Sequence, residues 1–508
     1  MIANKDLRIE TAEGRRIVTR SLCFVLQTVV RKMWPDKVLF IDHSLPSGLY
    51  CEIREQQPLE DGTPHIYFLT DEQVFSIREG MDRLIEKNLP FSQSYMEREA
   101  SARLFELNHQ PLKAALVRGM KDNQILVTSL DGEQDWMIGD VVSSTGCLTT
   151  FDLMAFNNGF CLQLPMIGNP NRVMPMIRQS KIADALKENS NWCAKIEISG
   201  LGTLNEALRR GQGINLINLA EALHERKYAE IADLIYSRRS QIKVVLIAGP
   251  SSSGKTSTSL RLALQLKVLG LKPKVIELDN YFVNRENTPK DENGDYDFES
   301  LQAMDLGQLN KDVNGLLEGK TVEIPRYDFK TGERKYEGNF LTLGEKDILI
   351  MEGIHALNPE MMSEVDNSRL FRVYASALTS LNIDENTTIA TSDNRCLRRI
   401  IRDNRTRGIT PDGTLLRWHS VRRGEARNIF PYQENADVIF NSAMIYELPL
   451  LAHFGKPLLE AIPEDSPAYA EAQRHLSFLN NLVSLTDEEI KAIPPTSIMR
   501  EFIGGQTL

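Results

Sequence analysis

The 508-residue chain is poor in the patterns that mark disulfide, zinc or membrane chemistry. Its six cysteines, Cys23, Cys51, Cys147, Cys161, Cys193 and Cys396, contain no C-x-x-C pair. They therefore read as reduced core residues, not as a zinc knuckle or a disulfide frame. The eight histidines are dispersed, with no pair at ligand spacing; His43 and Cys51 fall in an expected hairpin, but two groups do not make a zinc site. No apolar run approaches the roughly 20 residues that span a bilayer. The amino terminus is charged where a leader peptide carries its apolar core, so a cytoplasmic protein without membrane contact is expected. Positive charge is also short: 59 Lys+Arg stand against 69 Asp+Glu, a net charge of −10. That balance excludes a surface that coats nucleic acid or anionic lipid as a whole. Internal repeats and low-complexity tracts are absent.

What is present is enough for several cores: 42% of the residues are hydrophobic, and at about 150 residues per domain the length suggests about three domains. Residues 1–160 mix helical periodicity (Ile17 to Met33, Asp71 to Lys87) with a β-rich run (Val38 to Ile41), which predicts an α+β domain. Residues 161–240 read as a helical connector, ending in Asn215 to Arg239, where Leu219, Leu223, Ile231 and Ile235 recur at helical steps. From 241 to 450 strands alternate with helices: Val244 to Ala248, a helix to Leu269 stopped by Gly270, then Lys274 to Leu278, Asp347 to Met351 and Phe371 to Ala375. That rhythm predicts an α/β fold, a doubly wound parallel sheet. Residues 451–508 return to helix, with Thr486 and Glu489 at capping-box spacing.

The strongest local signal is Gly249-Pro-Ser251-Ser252-Ser253-Gly254-Lys255-Thr256-Ser257, set between the apolar strand and a helical run. Its glycines let backbone N–H groups face phosphate oxygens, Lys255 reaches the outer phosphates of a nucleoside triphosphate, and the Thr256 hydroxyl can ligate Mg²⁺. Ligands of doubly wound sheets sit outside the carboxyl ends of the strands. Asp279 and Glu352 are expected there, where a carboxylate can take the proton of an attacking hydroxyl or hold Mg²⁺.

Leu278-Asp-Asn-Tyr-Phe282, Ile324-Pro-Arg-Tyr-Asp-Phe329 and Met351-Glu-Gly-Ile-His-Ala-Leu357 follow the phosphate loop in order. With them, residues 242 to 445 resemble the uridine kinase and phosphoribulokinase family, and a P-loop kinase is expected. The resemblance implies Asp279 as general base, Glu352 as a magnesium-shell acid, and Tyr327 and Phe329 in a nucleobase pocket. It places the sugar-binding acid at Glu299, with Asp297 a nearby alternative. The base-reading histidine of uridine kinases corresponds to Gly332, which has no side chain to pair a pyrimidine edge and so leaves the acceptor open.

Between 395 and 427 lie ten arginines, no lysine and three acids, Asp403, Asp412 and Glu425. Arg395, Arg398, Arg399 and Arg402 share one side of a helix. The arginine fork suits phosphate oxygens, and the kinase resemblance makes this stretch a lid in which Arg395 and Arg398 are catalytic and Arg402 contacts substrate.

Residues 18 to 165 resemble the editing domain of threonyl-tRNA synthetases through Ser21 to Pro35, His43 to Cys51, Leu89-Pro-Phe91, Arg98-Glu-Ala100 and Ser144-Thr-Gly146. The metal-type ligands of that family correspond here to Arg20, Phe24, Met137 and Val141, so editing chemistry is expected to be lost. The expectations are therefore an ATP- and Mg²⁺-dependent kinase acting on the 5′-hydroxyl of a nucleoside, uridine- or cytidine-like, or on another sugar-like alcohol. A nucleotide-gated regulator that touches tRNA through its front domain stands as the alternative, and self-association is left open.

Overall fold

The strand β1, Val244–Ala248, is apolar at all five positions and buried at all five, as a strand covered on both faces must be. In the computed structural model, which describes residues 7–290, 294, 296–379 and 381–508, β1 is the centre of a five-stranded parallel sheet. The others are β2 (Lys272–Glu277), β3 (Asp347–Glu352), β4 (Leu370–Ser376) and β5 (Val438–Asn441), in the order β2-β3-β1-β4-β5. Val245 and Ile247 enter the core shared with the helices Gly213–Ser237 and α1 (Lys255–Val268). Val244, Leu246 and Ala248 face the opposite core, with Leu309 and Val313 of the helix Leu306–Leu317. Helices therefore cover both faces, the doubly wound arrangement that the β/α rhythm predicts.

Two helices follow β4, α2 (Thr391–Arg407) and α3 (Pro411–Asn428); α4 (Glu447–Glu460) follows β5. The carboxyl-terminal chain packs back onto this body: Leu476, Leu479, Ile498 and Phe502 are buried in the same core as β1. The capping box at Thr486 and Glu489 is formed.

The front of the chain is α+β. Strands Val38–Leu45, Gly48–Arg54, Gly159–Gln163 and Asp152–Phe156 form an antiparallel sheet in that order, packed on the helices Ala12–Met33 and Asp71–Glu86. The helical texture expected from residue 161 begins only at Ser180. Gly159–Gln163 is a fully buried strand, and Pro165–Met166 pairs with Asn169–Val173. The missed signal is Asn157-Asn158, a two-residue hairpin loop before Gly159 with Asn157 at φ +50°, where asparagine tolerates the left-handed backbone better than most residues. In the helix Gly213–Ser237, Ile231 and Ile235 are buried as expected, whereas Leu219 is exposed.

The front sheet grips the segment between β4 and α2. The Ile41 N–H donates to the Glu385 carbonyl, Asn382 Nδ2 donates to the Ile41 carbonyl, and the Glu385 carboxylate accepts from the N–H groups of Leu112 and Lys113. Among the described residues no helix is long and apolar enough to cross a membrane. Residues 1–6, part of the charged amino terminus read above, lie outside the described residues.

Candidate active site

The phosphate loop joins β1 to α1, and its shape follows from two left-handed residues, Ser252 at φ +58° and Gly254 at φ +82°. Such alternation turns successive N–H groups toward one concave side. Its carbonyls are tied down elsewhere. Ser251 O accepts from Arg395 Nη1 at 2.9 Å, Ser252 O from Arg398 Nη1 at 3.4 Å, and Ser253 O from the buried Ser442 hydroxyl at 2.5 Å. With three consecutive carbonyls held from outside and the Ser253 N–H bonded to the Pro250 carbonyl at 3.3 Å, the amides of Ser252, Gly254 and the α1 amino terminus are the ones that can face an anion.

Beside the loop, β3 ends in Glu352 and β2 runs into the turn Leu278–Tyr281, which carries Asp279. Thr256 Oγ1 donates to Glu352 Oε1 at 2.8 Å. Burial pushes the Glu352 carboxyl up to about 7 against the pull of Lys255, with Asp279 adding to the rise. Asp279 is raised by burial to about 6, opposed by Lys255 and more weakly by Arg407. Glu299 reaches about 7, from burial and the neighbouring Glu425, while Arg399 and Lys255 oppose it. Lys255 acts on all three carboxyls, Arg399 on Glu299 and Arg407 on Asp279, so these charges are neighbours at the carboxyl end of the sheet. Asp297 turns its carboxylate to the Glu299 N–H at 3.1 Å.

The aromatic side of this site is a cluster. Tyr327 is buried, 5.5 Å from Phe282 and 5.0 Å from Phe329 between ring centres, while Phe329 is 57% exposed. The Tyr327 N–H donates to Asn280 Oδ1, which ties this hairpin to the residue after Asp279. Gly332 sits at φ +77°, and a Cβ there would fall 2.7 Å from the Arg285 side chain. Arg285 also donates to the Phe329 carbonyl. An arginine thus crosses the position that the resemblance assigns to a base reader.

The lid arginines do not all face the same way. Arg395 is held by Glu425, with Nη2 2.7 Å from Oε2, and Arg398 by Glu447, with Nη2 2.7 Å from Oε2. All four side chains are buried, so Arg395 and Arg398 secure the loop through its carbonyls and their charges are taken by carboxylates. Arg399 donates to Ser251 Oγ at 2.9 Å and pairs with the buried Asp403, as do Arg402 and Arg407. One aspartate among three arginines leaves positive charge toward Asp279 and Glu299. Sequence reasoning missed Glu425, whose Oε1 accepts from the Ser251 N–H at 3.0 Å. Its only signal was being one of three acids within the arginine run.

Residues 244–448 match the model of the Phosphoribulokinase / Uridine kinase family. The chain is 30% identical over 202 residues to the uridine kinase of Bacillus pumilus (strain SAFR-032), covering 40% of this chain and 87% of that protein. This chain belongs to that family. The uridine kinase of Macrococcus caseolyticus (strain JCSC5402) is 29% identical over 201 residues, 39% of this chain and 88% of its own. The solved structure of a possible uridine kinase from Bacillus stearothermophilus aligns over 42% of this chain and 98% of its own at 18% identity, with a TM-score of 0.28. By its membership of that family the protein is a P-loop kinase, and residues 1–243 and 449–508 lie outside the matched segment.

In the front domain, Arg20 donates to the Asp140 carbonyl and lies against Gly139, and Phe24 and Val141 are buried. Among the described residues the one cluster of three candidate metal ligands is Asp393, Glu471 and His475. Arg474 already lies 2.7 Å from Asp393 and 2.6 Å from Glu471.

Proposed function

We propose that the protein transfers the γ-phosphoryl group of ATP to a nucleoside 5′-hydroxyl, with a uridine- or cytidine-like acceptor. The observation that carries this reading is the placement of Asp279 and Glu352 at the carboxyl ends of adjacent strands, beside Lys255 of the phosphate loop. The amides of Ser252, Gly254, Lys255, Thr256 and Ser257 and the Lys255 ammonium would bind the phosphates, while the Ser251 N–H is held by Glu425 and the Ser253 N–H by the Pro250 carbonyl. Asp279 would take the proton from the attacking hydroxyl, and Glu299 would accept a hydrogen bond from a sugar hydroxyl. Arg399 and Arg402 supply positive charge where charge develops on the transferred group. Tyr327 and Phe329 offer ring faces for a base.

The donor set fits a hard cation: the Thr256 hydroxyl, the Glu352 carboxylate and the Asp279 carboxylate are all oxygen ligands. Mg²⁺ held there would neutralise phosphate charge during transfer. Arg395 and Arg398, expected as catalytic residues, act in this reading as positioning residues for the loop. The front domain is proposed as a scaffold that holds the segment leading into α2.

A kinase of another sugar-like alcohol is the second reading, favoured by Arg285 lying across Gly332. The test is incubation of the full chain with Mg-ATP and a panel of nucleosides and sugars, reading phosphorylated acceptor and ADP. Product with uridine or cytidine supports the first reading, and product with sugars alone supports the second. ATP hydrolysis without acceptor product, altered by added tRNA, would favour the nucleotide-gated regulator instead.

A further inference from the structure

The carboxyl-terminal segment lies outside the matched kinase region, yet it reaches the phosphate loop directly. Ser257, in the first turn of α1, donates its hydroxyl hydrogen to Glu501 Oε2 at 2.6 Å and accepts from Gln506 Nε2 at 2.8 Å. Ile498 is buried against Gly254, so closely that a Cβ on this left-handed glycine would fall 2.3 Å from its Cδ1. The same segment holds the lid helix. Arg405 of α2 donates to the carbonyls of Glu501 and Phe502, each at 3.1 Å, and the Arg398 guanidinium lies 4.9 Å from the centre of the buried Phe502 ring. Ser497 adds a contact with Tyr446 at 3.2 Å, and Tyr446 donates to Glu221 of the connector helix.

We propose that residues 497–506 form a fixed strap of the nucleotide site, in which Glu501 is a positioning residue for the phosphate loop. The proposal rests on reading that loop as the ATP site. The strap bonds to α1 on one side and to α2 on the other, so the loop helix and the arginine-bearing lid helix cannot separate without breaking it. The direction of the Ser257 hydroxyl matters. A serine in the first turn of a helix can turn its hydroxyl to backbone groups of its own chain; here Glu501 takes the proton and Gln506 supplies one to the oxygen. Both hydrogen-bonding capacities of the hydroxyl are used by the strap, which fixes the turn whose amides meet phosphate. An ordered loop binds phosphate without paying to order itself, which raises affinity with no new contact to the nucleotide.

The experiment compares the full chain with Glu501→Leu, Glu501→Gln and Gln506→Ala by calorimetric titration with Mg-ATP and with tripolyphosphate, alongside thermal melting. Loss of a charged hydrogen-bond acceptor predicts affinity about tenfold weaker for Glu501→Leu with both ligands. Glu501→Gln, whose amide oxygen can still accept from Ser257, recovers most of that loss. Gln506→Ala, which removes the hydrogen bond from Nε2 to Ser257 at a partly exposed position, weakens binding about threefold. Unchanged dissociation constants in Glu501→Leu and Gln506→Ala overturn the strap. So does a leucine variant that loses binding stoichiometry and melting temperature while its remaining sites bind as the parent does, since that describes a structural plug. If the parent chain binds neither ligand, the ATP-site reading itself fails, and this outcome is distinct from the other two.

Discussion

The guanidinium of Arg395 and the carboxylate of Glu425 form a buried fork, and the same carboxylate accepts the Ser251 N–H of the phosphate loop at 3.0 Å. One pair thereby joins α2, α3 and the loop. Removing a single partner leaves a buried charge uncompensated, which costs about 3–5 kcal/mol. Arg395→Met and Glu425→Leu should each lower stability in urea by that order, and the double variant should recover a large part of the loss. Additive losses in the double variant would show that the two residues are not coupled.

In the proposed reaction, proton removal depends on Asp279. Asp279→Asn should reduce phosphoryl transfer by about 10²- to 10⁴-fold, the usual worth of a general base, while Mg-ATP still binds. Because burial raises its carboxyl to about 6, transfer by the parent protein should rise with pH through about 6 and level off above 7. Near-normal phosphorylation by the asparagine variant, or a rate that falls over this range, would remove Asp279 from the role of base.

Glu299 gives a stability test with a defined sign. Its carboxyl is raised from 4.5 to about 7 in the folded protein, so between those values the folded state binds more protons than the unfolded state. Stability from this group is then present at low pH and lost as pH rises. Glu299→Gln should be close to the parent at pH 4.5 and more stable by about 1–2 kcal/mol at pH 8, allowing for the solvent that reaches a half-buried group. Denaturant midpoints measured at the two pH values decide it. A gap that shrinks with pH contradicts the crowding of carboxylates at this site.

The phosphate loop, its strand and the two strand-end acids were legible because each is local: an apolar run, glycines, and an acid at a predictable offset. What the sequence did not reveal is long-range pairing. Arg395 and Arg398 look alike on a helical wheel, and only the fold shows their charges spent on Glu425 and Glu447. Glu501 and Ser257 are 244 positions apart, beyond any periodicity. Tyr327 and Phe329 could equally have been core residues by type, and the structure divides them, burying the first and exposing the second. The strand Gly159–Gln163 was hidden by length, since five buried residues after a short turn resemble the edge of a helix as much as a strand.

Thr256 and Glu352 are joined by a 2.8 Å hydrogen bond, the contact that a cation would replace by taking both oxygens. Thr256→Val keeps the shape and removes the hydroxyl; Glu352→Gln keeps the size and removes the charge. Each should raise the free Mg²⁺ needed for half-maximal transfer, on the order of tenfold, the scale seen when a single ligand or its support is lost. Glu352→Gln should have the larger effect, because a neutral amide oxygen cannot offset the charge of the ion. ATP affinity without Mg²⁺ should not weaken in Glu352→Gln, since removing an acid beside the loop removes a repulsion from phosphate. Transfer rates across a Mg²⁺ titration at saturating ATP provide the check, and Mg²⁺ curves that superimpose on the parent's would exclude both residues from the cation site.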